Sequence, residues 1–222
     1  MGLLSSDKAV VGVDIGGTNI VVAVVSTAGD VLARVSGPTL PRRGPEDGVR
    51  RIVGLIEDAQ RLVGPSAAPL AVGIGCTGPV DRHTGQVHNP YTLPTWDDFP
   101  LTDRLADVLG VPVVMENDAH AGALGEHWRG AGRGTQHMIY VTVGTGVGGG
   151  LILDGALYTG ATGTAGEIGH HSVDMNGPQC YCGSRGCVEL YAAAPALTEQ
   201  ARQRAEGGES LLLSLVDGDL DA

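Results

Sequence analysis

Residues 166–189, GEIGHHSVDMNGPQCYCGSRGCVE, hold three of the chain's four cysteines just downstream of paired histidines. Counted from His170, the spacing to Cys180, Cys182 and Cys187 is His-x9-Cys-x-Cys-x4-Cys. Three thiolates and an imidazole form a four-member donor set that suits tetrahedral Zn²⁺, and a set closed by protein ligands marks a structural ion. Gly183 and Gly186 permit the tight turns that three thiolates around one centre require. Cys180 and Cys182 are too close in sequence to bridge each other without strain, so a disulfide framework explains the spacing poorly. The remaining alternative is three unliganded thiols in a glycine-rich loop, and on spacing alone either His170 or His171 can supply the imidazole.

Carboxylates accompany this loop. Glu167 and His170 are three residues apart and Glu189 follows the last cysteine, so folding the loop on a metal gathers two carboxylates and an imidazole. Carboxylates accept hydrogen bonds from ligand hydroxyls without needing a charged partner. The plain alternative for Glu189 is a solvated carboxylate at a helix start, worth about 0.3–1 kcal/mol. A further acid lies in VVMENDAHAGALGEHW, where Asp118 stands between a strand end and a helix start. Asp is a good helix N-cap, but Asn117 can take that place and leave Asp118 to accept a proton. His127 fits a helix-surface residue better than a second base.

Residues 8–30, KAVVGVDIGGTNIVVAVVSTAGD, read as a β-branched run, a glycine turn and a second β-branched run. HMIYVTVGTGVGGGLILDG, residues 137–155, repeats the design, and an offset of 128 aligns Gly16 with Gly144 and Asp14 with Thr142. The chain therefore reads as internally duplicated. Neither turn is a dinucleotide or Walker loop, because both of those open into a helix, whereas Gly16-Gly17 leads into IVVAVV and the sole lysine, Lys8, precedes the first strand. Glycine hairpins still bring backbone N–H groups close to an anion. Gly16, Gly17, Thr18 and Asn19 in one turn, and Gly144, Thr145 and Gly146 in the other, are thus phosphate-binding candidates, with Asp14 placed to hold a metal ion through water. Plain tight turns are the alternative, and it weakens when the motif occurs twice.

These residues need a scaffold. Amphipathic helices are expected over GVRRIVGLIEDAQRLVG, LTDRLADVLG and AHAGALGEHWRG, and buried strands over AVGIGCTGPVD and VPVVMEND. Alternating strands and helices imply an α/β class, with a lobe of residues 1–117 followed by a second beginning at 118. Glycine makes up 36 of 222 residues in a chain that is 42% hydrophobic, which indicates a folded protein rich in tight turns. The net charge of −11 repels phosphate backbones, so no nucleic acid is expected as a partner. No apolar run reaches the ~18 residues that span a bilayer, and MGLLSS matches the loose N-myristoylation pattern with no second anchoring signal. No membrane attachment and a cytoplasmic location are the expectation.

VDIGGTN, GCTGPVD, ENDAH, VGTGVGGG and GEIGH followed by CYCGSRGCVE, in this order, resemble the ROK family of sugar kinases and sugar-responsive repressors, its bacterial glucokinases in particular. The resemblance covers about residues 10–197. It implies an actin-like (hexokinase/ribonuclease H-like) α/β fold of two lobes, and phosphorylation of glucose at the 6-hydroxyl by ATP with Mg²⁺. It assigns His170, with the three cysteines, to Zn²⁺. It also assigns Asp118 as the base and Asn117, Glu167, His170 and Glu189 to the sugar. His120 departs from the small or amide residue expected after Asp118-Ala119.

Alternatives within the resemblance are a kinase for another hexose or for N-acetylmannosamine, N-acetylglucosamine or fructose, a polyphosphate-dependent glucokinase, and a sugar-sensing regulator. Regulators carry a DNA-reading module before the first hairpin, where this chain has about nine residues. Chains of the family continue past LLLSLVDGDLDA, so a fragment lacking the adenosine-closing segment is expected, with a homodimer as the full-length form.

Overall fold

The computed structural model describes residues 8–64 and 69–205 of the chain. The myristoylation-like opening and the LLLSLVDGDLDA end lie outside these described residues. The chain divides into two compact units, residues 1–135 and 136–222.

In the first unit, β1 (Ala9–Ile15) and β2 (Asn19–Ser26) pair antiparallel around the first glycine turn, and β3 (Val31–Pro38) continues the meander. Helix α1 (Pro45–Val63) follows, then β4 (Pro69–Cys76), which runs parallel to β1. Three two-residue strands, β5 (Val80–Asp81), β6 (Gln86–Val87) and β7 (Phe99–Pro100), form a small separate sheet. Helix α2 (Leu101–Leu109) leads to β8 (Val113–Asn117), parallel to β4, and α3 (Asp118–Arg129) closes the unit. The main sheet has the order β3-β2-β1-β4-β8.

Side-chain alternation explains the layering. Ala9, Val11, Val13 and Ile15 of β1, and Ile20, Val22 and Val24 of β2, are buried at every second position, the period of a pleated strand. Helix α1 buries Val49, Ile52, Ile56 and Ala59 at helical spacing against β2 and β3. It starts with Pro45 at N1 and two acids in the first turn, and stops where the Gly64 N–H bonds back to the Gln60 carbonyl.

The boundary expected between residues 117 and 118 falls between β8 and α3, which both belong to the first unit. Helix α3 packs against β4 and β8. Gly75 admits its close approach, since a Cβ there would stand 3.3 Å from the Ala121 Cβ.

The second unit begins with an antiparallel meander of β9 (Met138–Val143), β10 (Val147–Leu153) and β11 (Ala156–Tyr158). Shifting β1 and β2 by 128 residues reproduces the limits of β9 and β10 to within one residue, so the duplication read from the sequence holds for the hairpin. A one-turn 3-10 helix (Ile168–His170), α4 (Glu189–Ala192) and α5 (Ala194–Ala205) complete the described part.

Gly48 of α1 faces the ring of Trp96, a fully buried side chain whose Nε1 donates to the Pro41 carbonyl at 3.3 Å. A Cβ on Gly48 would overlap Trp96 Cζ2 and Cη2. Alanine favours helix over glycine by about 1 kcal/mol, but overpacking costs about 1–3 kcal/mol. Gly48→Ala should therefore lower the denaturant midpoint of the chain; an unchanged or raised midpoint would show that Trp96 repacks freely.

Candidate active site

Three parallel strands of the first unit end side by side. The register pairs Ile15 with Cys76 and Cys76 with Asn117, so the carboxyl ends of β1, β4 and β8 lie in one row. Ligands of open α/β sheets bind outside such ends. Asp14 and Asp118 stand here, and both carboxylates bear on the thiol of Cys76, which is pushed far above its ordinary range by burial first and by these two charges second. Burial pushes the Asp14 carboxyl up, with Arg34 acting against it.

The cap of α3 determines what Asp118 can do. Asn117 Oδ1 accepts from Ala119 N at 2.9 Å and His120 N at 3.2 Å, so Asn117 is the N-cap. The Asp118 side chain is exposed, and its Oδ1 accepts from Ala119 N at 2.8 Å. That amide orients the carboxylate at the helix start.

The neighbouring loops are tied to the same place. Buried Asn89 donates from Nδ2 to the carbonyls of Thr77 at 3.3 Å and Gly78 at 2.5 Å. Thr92, anchored by Asn89 Oδ1, sits where a side chain on Gly17 would reach, 2.5 Å from its Cγ2. The first glycine turn is held by Gly16 N donating to Asn19 O at 3.0 Å and Thr39 Oγ1 donating to Gly16 O at 2.6 Å. Thr18 and Asn19 are exposed at its tip.

His120 has a structural reason. It is 2% exposed and its Nδ1 lies 3.1 Å from Glu116 Oε1, which also accepts from Asn117 N at 3.0 Å. Arg82 reaches Glu116 Oε2 at 3.2 Å. Burial alone would raise the Glu116 carboxyl, but the His120 hydrogen bond, the Asn117 amide and Arg82 outweigh it and hold it below the usual range. Helix α3, the end of β8 and the loop after β5 are thereby joined through one carboxylate.

The second unit builds its part on glycines. A Cβ on Gly149 would stand 2.5 Å from the Gly166 carbonyl oxygen, one on Gly166 would stand 2.9 Å from the Gly149 oxygen, and one on Gly169 would overlap the Val147 carbonyl. Backbone therefore packs on backbone, and this seam seats the 3-10 helix on β10 with Glu167 and His170 at its ends. Glu189 is fixed to the second glycine turn: Oε2 accepts from Val147 N at 2.9 Å, and the same oxygen stands 2.5 Å from where a Gly146 Cβ would be. The turn itself closes by Gly144 N donating to Gly146 O at 2.9 Å, with Thr145 between them, and the Gly144 carbonyl accepts from Ala194 N at 2.8 Å.

His170, Cys180, Cys182 and Cys187 converge, their ligand atoms all within 4.8 Å of one another. With Zn–S of ~2.3 Å and Zn–N of ~2.0–2.1 Å, a tetrahedral site has S···S edges of about 3.8 Å and S···N edges of about 3.6 Å. Cys182 Sγ to Cys187 Sγ is 3.7 Å and Cys180 Sγ to His170 Nδ1 is 3.6 Å. The donor set and its spacing fit the ion. His171 is exposed and outside the cluster. The other nitrogen of His170, Nε2, meets the Tyr181 hydroxyl at 3.1 Å, the two rings edge to face at 5.1 Å. Partial burial first, then the charge of the Glu189 carboxylate, pushes the Tyr181 hydroxyl above the ordinary tyrosine range.

Within the first unit the structure thus gathers Asp14, Asn117 and Asp118 at the ends of parallel strands, and within the second His170, Glu189 and the three cysteines in one loop. Sequence reasoning missed Tyr181, Glu116, Arg82 and Asn89. Only Tyr181 had a local signal, its place between two cysteines of the cluster.

The chain belongs to the ROK family, whose pattern matches residues 10–214. It is 45% identical to the glucokinase of Thermotoga maritima over 87% of this chain and 60% of that protein. It is 41% identical to the glucokinase of Streptomyces coelicolor over 95% of this chain and 65% of that one. A ROK family glucokinase from Streptomyces griseus, solved in complex with glucose and AMPPNP, superposes with a TM-score of 0.81 at 40% identity, covering 96% of this chain and 67% of that chain. The fold is therefore the actin-like α/β fold of ROK sugar kinases, and the chain spans 60–65% of the length of the curated glucokinases it matches. Among the described residues no helix is long and apolar enough to cross a membrane.

The thiols differ in a way that can be read out. A backbone hydrogen bond from Ser184 holds exposed Cys182 below the ordinary thiol range, whereas burial and its cysteine neighbours push Cys187 up to about 11. After treatment with a chelator at neutral pH, iodoacetamide should modify Cys182 first and leave buried Cys76 intact. Peptide mass spectrometry gives the order, and early labelling of Cys187 or Cys76 would contradict it.

Proposed function

We propose that the protein phosphorylates glucose at its 6-hydroxyl with ATP. The observation that carries this reading is Asn117 capping α3, which leaves the Asp118 carboxylate exposed and oriented at the end of β8, in a chain 45% identical to a glucokinase. The glucose and AMPPNP in the Streptomyces griseus glucokinase support the choice of sugar and donor.

Phosphoryl transfer asks a protein for positioning and charge neutralisation more than for covalent chemistry. Asp118 accepts the proton of the sugar 6-hydroxyl as the oxygen attacks, and Asn117 offers an amide to a neighbouring hydroxyl. Glu167, His170 and Glu189 take further sugar hydroxyls. Gly16, Gly17, Thr18 and Asn19, and Gly144, Thr145 and Gly146, present backbone and short polar groups to phosphates. Mg²⁺ accompanies ATP and offsets its charge, and Asp14 is the residue placed to hold it through water. His170 and the three cysteines hold Zn²⁺, which orders the loop carrying the sugar carboxylates.

Asp118→Asn should leave glucose affinity nearly unchanged and lower kcat by about 10²–10⁴. Calorimetry beside a coupled turnover assay separates this from the helix-start alternative, in which the variant loses stability but keeps its activity per folded molecule. Protein purified without added metal should carry about one zinc per chain, and Cys182→Ser, which removes no sugar ligand, should weaken glucose binding. A folded, metal-free protein that binds glucose normally would refute the zinc assignment.

A further inference from the structure

Glu116 stands one residue before the cap of α3, and its two oxygens have different partners. Oε1 accepts from the Asn117 backbone amide at 3.0 Å and lies 3.1 Å from His120 Nδ1, while Oε2 pairs with Arg82 Nη1 at 3.2 Å. The place of the Asn117 amide therefore depends on where this carboxylate sits. The Glu116 side chain is only 16% exposed, and a carboxylate so placed is costly to leave without a counter-charge. Arg82 supplies that charge from outside the sheet.

Arg82 projects from a turn with its own supports. Just before it, Asp81 Oδ1 accepts from His83 N at 2.8 Å and Thr84 N at 3.2 Å, and Gly85 N donates to the Asp81 carbonyl at 2.8 Å. Four residues earlier in the chain, Gly78 lies against the cap itself, since a Cβ there would stand 2.6 Å from Asn117 Nδ2. One short segment, residues 78–82, thus braces both Asn117 and the carboxylate that precedes it. The Arg82 side chain is 43% exposed, so its removal opens no core.

We propose that Arg82 is a positioning residue for the candidate active site: by holding Glu116 it fixes the Asn117 amide, and so sets the cap that leaves the Asp118 carboxylate oriented at the start of α3. The proposal deepens the sugar-kinase reading and rests on it for the roles of Asn117 and Asp118. Arg82 acts through Glu116, at the far side of the cap from the ligand.

Two readings on the wild type, Arg82→Met and Arg82→Lys test this. The first is solvent exchange at the amides of Ala119 and His120, both bonded to Asn117 Oδ1; the second is glucose affinity by calorimetry. Arg82→Met keeps much of the stem and removes the charge. It should speed exchange at these two amides by about 2–10-fold and weaken glucose binding by a similar factor, the worth of one net hydrogen bond. Arg82→Lys keeps the charge and should return both readings toward the wild type. Unchanged exchange at Ala119 and His120 overturns the proposal, and so does an equal acceleration at Ile52 and Ile56 of α1, which marks a general loss of stability. Faster exchange with unaltered glucose affinity also overturns it, because the cap then moves without consequence for the site. A wild-type chain that binds no glucose refutes the sugar reading, while the exchange rates still decide whether Arg82 positions the cap. Arg82→Gln, with the same expected result, covers a methionine variant that does not fold.

Discussion

The convergence of His170 Nδ1 and three cysteine sulfurs is the constraint on which the second unit depends. Between the end of β11 and the start of α4 the chain has a single 3-10 turn and two isolated bridges, Ser172 to Cys187 and Gln179 to Arg185. Such a stretch has little apolar surface to bury. Among the described residues of this unit the buried hydrophobic side chains are Val147, Ile152, Cys180, Cys187, Ala193 and Ala205, and two of these six are the thiols themselves. The four donors draw together a stretch whose own hydrophobic core is small. Glu167, His170, Tyr181 and Glu189 inherit their positions from this convergence.

The first unit reaches order by the opposite route. Its sheet and α1 enclose a continuous core of β-branched and aliphatic side chains, and its polar residues are positioned at the strand ends by that rigid layer. Asn117, Asn89 and the pair of Glu116 and His120 then fix the loops that leave the sheet. The same glycine hairpin thus opens both units. In one it rests on packed hydrocarbon, and in the other Glu189 holds its exit through a single backbone amide.

Much of this is legible in the sequence because it depends on period and spacing. Alternation marks the strands, apolar residues at helical intervals mark α1 to α3, and the repeat at an offset of 128 marks the second hairpin. The cysteine spacing names the four donors that the fold brings together. What stays hidden depends on contacts between segments distant in the chain. The pairing of Arg82 with Glu116 joins a short hairpin to a strand end, and no local pattern announces it. His120 looks anomalous in sequence because its partner, the half-buried Glu116 carboxylate four residues earlier on β8, meets it only where the strand turns into α3. The limit of the first unit is likewise invisible, since it is set by the packing of α3 on β4 rather than by a change in composition.

The glycine seam between β10 and the 3-10 helix has a consequence for how such a site can diversify. At Gly149, Gly166 and Gly169 the space a side chain would occupy is filled by main-chain atoms of the opposite segment, and main chain cannot rotate aside as a long side chain can. Single substitutions at these positions are therefore closed to descent and to the engineer alike. Innovation in the loop is channelled to places where side chains face solvent, and Met175, 84% exposed, is such a place. The seam acts as a ratchet, holding the frame still and concentrating change in a few outward-facing residues.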